Sequence, residues 1–545
     1  MSIFTPKFRS MQRSLIFFGL VLISIGAKAQ FPSNYTPTYS EIIATYERIA
    51  RDNPEYAKLD TIGSTDAGEP LHYFVIDKKG NFSPDSAESN EQVVCMIMNG
   101  IHPGEACGVN ASIQFAMEQT PMADENVIYV ILPIYNIGGA LNRNSTSRAN
   151  QVGPAEYGFR ANAKNLDLNR DFIKCDSDNA KAFTKLYHLW KPHVFIDTHT
   201  TNGADYQPTL TLLSSFPDKL VPMQATFVER EMTPYLFEKM KDSGDEMIPY
   251  VNLTGRTPDE GLKAFLDYPR YGSGYVSLFN TIAFLTEAHM LKPFDQRVAS
   301  TLNFIKVMHG FLSSRNEIII KLKNLADAKT KTMDSFATKW RIGDDADSLE
   351  FPGYQAEKTA SLISGRNYIS YDREKPYRKN VPYYNEVIPY YEADLPEFYI
   401  IPAAWDDVIE RLKLNRVAMT RLKQDTTLEV TSVYARYFET SEEPYEGHYP
   451  HSNVGVSERK EEVEFRKGAY LIPTDQVANR YLAHVLDPHS YDSFFAWNFF
   501  DSILTQKEYF SAYLFEETAL KILQRDATLR RSFDTKKATD PDFAE

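Results

Sequence analysis

Short, wholly apolar runs separated by stretches of helical spacing set the tightest limit on what this chain can fold into. Val93-Val94-Cys95-Met96-Ile97-Met98 has no polar position, as expected of a strand buried on both faces. Residues 127–134, 193–197 and 281–286 read the same way. Between them, residues 106–118 carry apolar side chains at helical spacing (Val109, Ile113, Met117), and residues 227–240 and 296–312 also read as helices. Strands alternating with helices over residues 30–325 predict an α/β fold: an open, mostly parallel or mixed sheet with helices on both faces.

The texture changes past residue 326. Residues 341–395 are rich in Tyr, Pro, Asp and Glu and lack helical periodicity. A strand at 397–401, a helix over 406–423, strands at 428–437 and 462–472, and helices at 497–504 and 516–524 follow. The chain of 545 residues exceeds what one hydrophobic core supports. The expected division is an α/β unit over 30–325 and a C-terminal α+β accessory domain over 340–545, whose role the sequence leaves open.

The N-terminus has its own logic. Lys7, Arg9 and Arg13 precede an apolar stretch at 15–26, and Ala27-Lys28-Ala29 supplies small residues around a cleavage point. This is the plan of a secretory signal peptide over 1–29, with cleavage before Gln30 and export to the periplasm or the medium. Twelve apolar residues are too few to span a bilayer. Loss of the segment removes four basic residues and no acid, taking the net charge from −14 to −18. So acidic a chain is a poor partner for nucleic acid or anionic lipid. Cys95, Cys107 and Cys175 are too few for a disulfide scaffold and read as thiols packed in or near the core.

Candidate chemistry gathers where the apolar runs stop. His102-Pro103-Gly104-Glu105 follows the first; its three-residue spacing lets an imidazole nitrogen and a carboxylate converge on one ion. Asp197-Thr198-His199 follows the third run, and Glu287 ends the fourth. Sites in open parallel sheets form at the carboxyl ends of strands. Two His and one Glu make a catalytic zinc set with a fourth position left for water. Glu287 is then placed to act as general base. Between these, residues 158–172 carry Arg160 and Arg170 among Asn and Asp, a pattern that suits either a solvated surface loop or an anion-binding wall.

In this order, the four motifs His-Pro-Gly-Glu at 102–105, Asp-Leu-Asn-Arg at 167–170, Asp-Thr-His at 197–199 and Glu287 resemble the zinc carboxypeptidase (M14) family, over roughly residues 35–320. The resemblance implies a zinc carboxypeptidase-like fold and one Zn2+ per chain held by His102, Glu105 and His199. It implies that Asp167 orients the first zinc histidine, Arg160 stabilises the oxyanion, and Asn169 and Arg170 hold the substrate's terminal carboxylate. Glu287 is implied as the catalytic glutamate. The family's substrate-covering tyrosine falls among Tyr268, Tyr271 and Tyr275, with Tyr271 preferred.

The expected function is an exported metallocarboxypeptidase acting on peptides or cell-wall peptide stems, using zinc-activated water with Glu287 as general base. An amidase, deacylase or peptidoglycan-peptide hydrolase on the same scaffold is the alternative; an inactive peptide-binding module is the other. Arg270 reads as the partner of a nearby acid, His193 and His289 as supports of the site, and His448 and His451 as surface residues. Oligomeric state is not readable.

Overall fold

Alternate residues of the 93–98 run face opposite sides of one sheet, which is why none of them is polar. Val93, Cys95 and Ile97 pack with Val109 and Ile113 of helix Cys107–Gln119 and with Phe304 and Ile305 of helix Phe294–Ser314. Val94, Met96 and Met98 pack on the other side with Phe183 and Leu186 of helix Asp178–Trp190. The computed structural model describes residues 31–89, 91–201 and 203–544, so the signal peptide expected over 1–29 lies outside the described residues.

In chain order the strands of the first half are β1 (Ala57–Ser64), β2 (Pro70–Ile76), β3 (Val93–Asn99), β4 (Val127–Leu132), β5 (Val194–Thr201), β6 (Leu210–Ser214), β7 (Ile248–Pro249), β8 (Leu262–Lys263) and β9 (Ile282–His289). All but β8 join one eight-stranded sheet of order β1-β2-β4-β3-β5-β9-β6-β7. Its centre, β4-β3-β5-β9, is parallel, and antiparallel strands flank it on both sides. This is the mixed α/β sheet with helices on both faces that the sequence predicts.

Two strands run further than their apolar runs. Pairing of β5 with β9 continues through Thr198↔Thr286, His199↔Glu287 and Thr201↔His289. His199 and Glu287 therefore sit within paired strands, not past their ends. Backbone hydrogen bonding holds polar residues in a strand where a site needs them rigid.

In the second half, residues 341–395 are mostly strand. Asp347–Ala360 and Asn367–Tyr384 form a long antiparallel hairpin whose end pairs with β8. The expected helix over 406–423 stops at Leu414, because Arg416 takes a left-handed φ of 55°. The expected strand at 462–472 is two strands, His451–Phe465 and Tyr470–Pro473, separated at Gly468 with φ 98°. The expected helix at 497–504 is reduced to one 3-10 turn at Asp501–Leu504.

Val408, Leu412, Ile472, Tyr481 and Trp497 from this half share one apolar cluster with Leu186, Tyr187 and Tyr275 from the first. The segment beyond residue 400 thus covers the side of the sheet that carries helix Asp178–Trp190. The three cysteines are buried and free. Among the described residues, no helix is long and apolar enough to cross a membrane.

Candidate active site

The site is built on the carboxyl ends of β3, β5 and β9. β3 stops at Asn99, whose buried side chain ties three strands together. Its Nδ2 donates to the Leu132 carbonyl, and its Oδ1 accepts from Thr198 Oγ1 and Ser112 Oγ. The chain then turns at Gly100 (φ 63°), where a Cβ would lie 2.9 Å from Ile134. This turn delivers His102 and Glu105 to the loop before helix Cys107–Gln119.

His102, Glu105 and His199 are all buried, and they offer donor atoms that lie within 4.8 Å of one another. His102 Nδ1 is 3.2 Å from Glu105 Oε1, and His199 Nδ1 is 3.1 Å from Glu105 Oε2. Two ligands about 2.1 Å from one zinc ion in tetrahedral arrangement are about 3.4 Å apart. The donor set and its spacing therefore fit zinc.

The groups around this cluster fix its orientation. His102 Nε2 is 2.9 Å from Asp167 Oδ1, which commits that nitrogen and leaves Nδ1 to face Glu105. Asp167 Oδ2 accepts from Arg160 Nε (3.1 Å) and Nη2 (2.8 Å). Burial pushes the Asp167 carboxyl up, but the bond to His102 and the charges of His102, Arg160 and Arg170 outweigh it and hold it well below the usual carboxylate range. Arg160 Nη1 lies 3.3 Å from His102 Nδ1 and 3.6 Å from Glu105 Oε1, so its guanidinium borders the ion position while the side chain stays partly exposed.

Arg148 belongs to this set and carries no signal in the sequence. Its Nη1 donates to Glu105 Oε1 and its Nη2 to the Thr200 carbonyl, both at 2.9 Å. Burial opposes ionisation of Glu105, yet His102 and Arg148 beside it keep the carboxyl well below its ordinary value. Only long-range folding brings residue 148 under residue 105.

Glu287 faces His199 across the β5–β9 pair and lines the same cavity. Its Oε2 is buried with no hydrogen-bond partner among the described residues. Burial pushes its carboxyl up to about 8, opposed by His199 and reinforced by Glu105. An acid held this way is poised to exchange a proton near neutral pH.

Asn169 and Arg170 line the same cavity from a 3-10 turn (Leu168–Arg170) that Asp167 caps. Asn169 Oδ1 accepts from Gly272 N–H, which orients its amide. The Arg170 guanidinium lies 4.6 Å above the Tyr271 ring. The cavity enclosed by these groups measures about 200 Å³. Tyr271 lines it, whereas Tyr268 donates to the Trp340 carbonyl and Tyr275 to Asn415 Oδ1. Tyr250 and Phe265 also line it, residues the sequence does not single out, and so does Asp267, which pairs with Lys219 and belongs to the 266–275 stretch expected to help form the side-chain pocket.

Other candidates lie elsewhere. Arg270 pairs with buried Asp492 through two of its nitrogens. His193 Nδ1 accepts from Val94 N–H at the far end of β5, and His289 stacks on Tyr206 beside Asp205; neither touches the cluster. His448 and His451 are not surface residues. His448 is partly buried against Asp176 at 2.7 Å, and His451 is buried beside Asp501. His448 is covered where its loop docks on the first half, and His451 by Phe438, Phe495 and Asp501 of its own half.

In the segment that holds most of the site, the chain is similar to zinc carboxypeptidases. The family model described as zinc carboxypeptidase matches residues 42–207, the segment that supplies His102, Glu105, Asp167, Asn169, Arg170 and His199. Over most of its length the chain is similar to fungal proteins. It is 21% identical to Carboxypeptidase 2 of Trichophyton rubrum over 479 residues, covering 84% of this chain and 83% of that protein. It is 22% identical to Probable carboxypeptidase 2 of Trichophyton verrucosum over 482 residues, covering 81% and 83%. Among solved structures, a metallo-carboxypeptidase from Burkholderia cenocepacia aligns with a TM-score of 0.39 at 15% identity, over 52% of this chain and 71% of the other.

Proposed function

We propose that the protein is an exported metallocarboxypeptidase that removes C-terminal residues from peptides or cell-wall peptide stems. One juxtaposition carries the reading: Asn169 and Arg170 line the same cavity as the His102–Glu105–His199 cluster and Glu287. A carboxylate-binding wall beside a hydrolytic centre selects chain ends over internal bonds. Export rests on the N-terminal sequence.

When bound by His102, Glu105 and His199, zinc supplies Lewis acidity that polarises a carbonyl and makes water more acidic. The protein's own groups then divide the work. Glu287 takes a proton from the attacking water and returns it to the leaving amine. Arg160, with Nη1 beside the cluster, donates to the oxygen that becomes negative. Asp167 keeps His102 in one orientation. Arg170 and Asn169 hold the free carboxylate, and Tyr271, packed under Arg170, forms the adjoining wall.

The test compares a peptide carrying a free C-terminus with its C-terminal amide, on wild-type protein and an Arg170→Ala variant. Cleavage should favour the free carboxylate, and the substitution should weaken that substrate far more than the amide. Equal loss on both would remove Arg170 from carboxylate binding. Bound zinc with cleavage of neither would point instead to a specialised amide substrate.

A further inference from the structure

Arg170 is held by the distant half of the chain. Its Nε donates to Tyr445 Oη at 3.1 Å, while Nη1 donates to the Asn169 carbonyl at 2.7 Å. Tyr445 lies 275 residues away, in the loop between strands Thr426–Thr440 and His451–Phe465. The next residue makes a second contact: Glu446 Oε2 accepts from the Asp167 backbone N–H at 2.7 Å. Adjacent residues of one remote loop thus hold both ends of the Asp167–Arg170 turn.

The loop is itself anchored. Tyr445 and His448 exchange backbone hydrogen bonds, and His448 reaches Asp176 at 2.7 Å. The Tyr445 ring stacks on Trp497 with centroids 6.1 Å apart. The Arg270 guanidinium lies over the Trp497 and Tyr491 rings, at 5.0 and 4.7 Å, and Asp492 accepts from Arg270 N, Nε and Nη2. Arg270 precedes Tyr271, whose ring underlies Arg170. Both walls of the carboxylate end of the cavity are therefore fastened to residues 445–497.

We propose that Tyr445 is a positioning residue for terminal-carboxylate recognition, and that the C-terminal half completes this subsite. The proposal rests on the carboxypeptidase reading above. An arginine side chain is long and loses several rotors when it is fixed for two-point contact with a carboxylate. With Nε committed to Tyr445 and Nη1 to Asn169, Arg170 meets the substrate in one orientation. What remains for recognition is Nη2 and the second N–H of Nη1. Tyr445 does not line the cavity, so its influence passes through Arg170 and should appear in substrate binding and not in the chemical step.

The experiment measures KM and kcat of wild type, Tyr445→Phe and Tyr445→Ala on a free-carboxylate peptide, and the preference of wild type over the C-terminal amide. Zinc content and thermal midpoint are followed alongside. Tyr445→Phe keeps the ring and its stacking and removes only the acceptor. It should raise KM about tenfold at nearly constant kcat, zinc content and midpoint, with a larger KM for Tyr445→Ala. A wild type that prefers the free carboxylate while Tyr445→Phe matches it in KM would overturn the proposal alone. So would a drop in kcat accompanied by lost zinc or a lower midpoint, which marks a merely structural role. A wild type with no preference for the free carboxylate would overturn the carboxypeptidase reading, and this inference with it.

Discussion

His199 and Glu287 are register partners on adjacent parallel strands, so the third side chain of the His102–Glu105–His199 cluster and the half-buried acid rise from neighbouring positions of one hydrogen-bonded ladder. Their separation is set by the sheet and not by any loop. The acid can then lose its ionisable group without moving the ligands. Glu287→Gln should bind zinc as wild type does while kcat falls by about 10²–10⁴. Metal analysis and steady-state kinetics on one preparation check this. Zinc lost together with activity would show that Glu287 acts on the ligands.

Asp167 accepts from His102 Nε2 and from Arg160. Asp167→Asn weakens both contacts and frees the His102 ring. Zinc affinity should fall about 10–100-fold, as expected when a partner behind a metal-binding histidine is removed. Competition with a chelator of known affinity measures it, and unchanged affinity would leave Asp167 no orienting role.

Lys219 Nζ lies 2.5 Å from Asp267 Oδ1, and both side chains are almost fully buried. Lys219→Met strands a buried carboxylate on the cavity floor and should cost about 3–5 kcal/mol of stability. The double substitution Lys219→Met with Asp267→Asn should recover much of that loss. Urea unfolding of the single and double variants decides; an additive loss would contradict the pairing.

Burial pushes His188 and His484 down to about 3. Unfolded, each returns to about 6.5, so between these values the unfolded chain binds protons that the native one refuses. Stability is then complete above pH 6.5 and declines as pH falls towards 3. Each histidine should remove about 2 kcal/mol between pH 6.5 and 5. Denaturant midpoints at the two pH values measure it, and the slope should flatten when both residues are replaced by Gln.

The central sheet and the groups at its end are written locally in the chain. The 93–98 run is apolar because both faces of β3 are covered, and that requirement is written residue by residue. His102, Glu105, His199 and Glu287 were legible because strand direction carries local polar residues to one edge. The tertiary structure alone decided what holds them. Arg148 reaches Glu105 across 43 residues, Lys219 meets Asp267 on the cavity floor, and Tyr445 reaches Arg170 across 275. The same long-range packing buried His451 and partly buried His448, and extended β5 and β9 past their apolar runs. The physical reason is separation along the chain. Periodicity and spacing report which face a residue presents within its own element, whereas a charged or phenolic side chain finds its partner only after distant elements have docked.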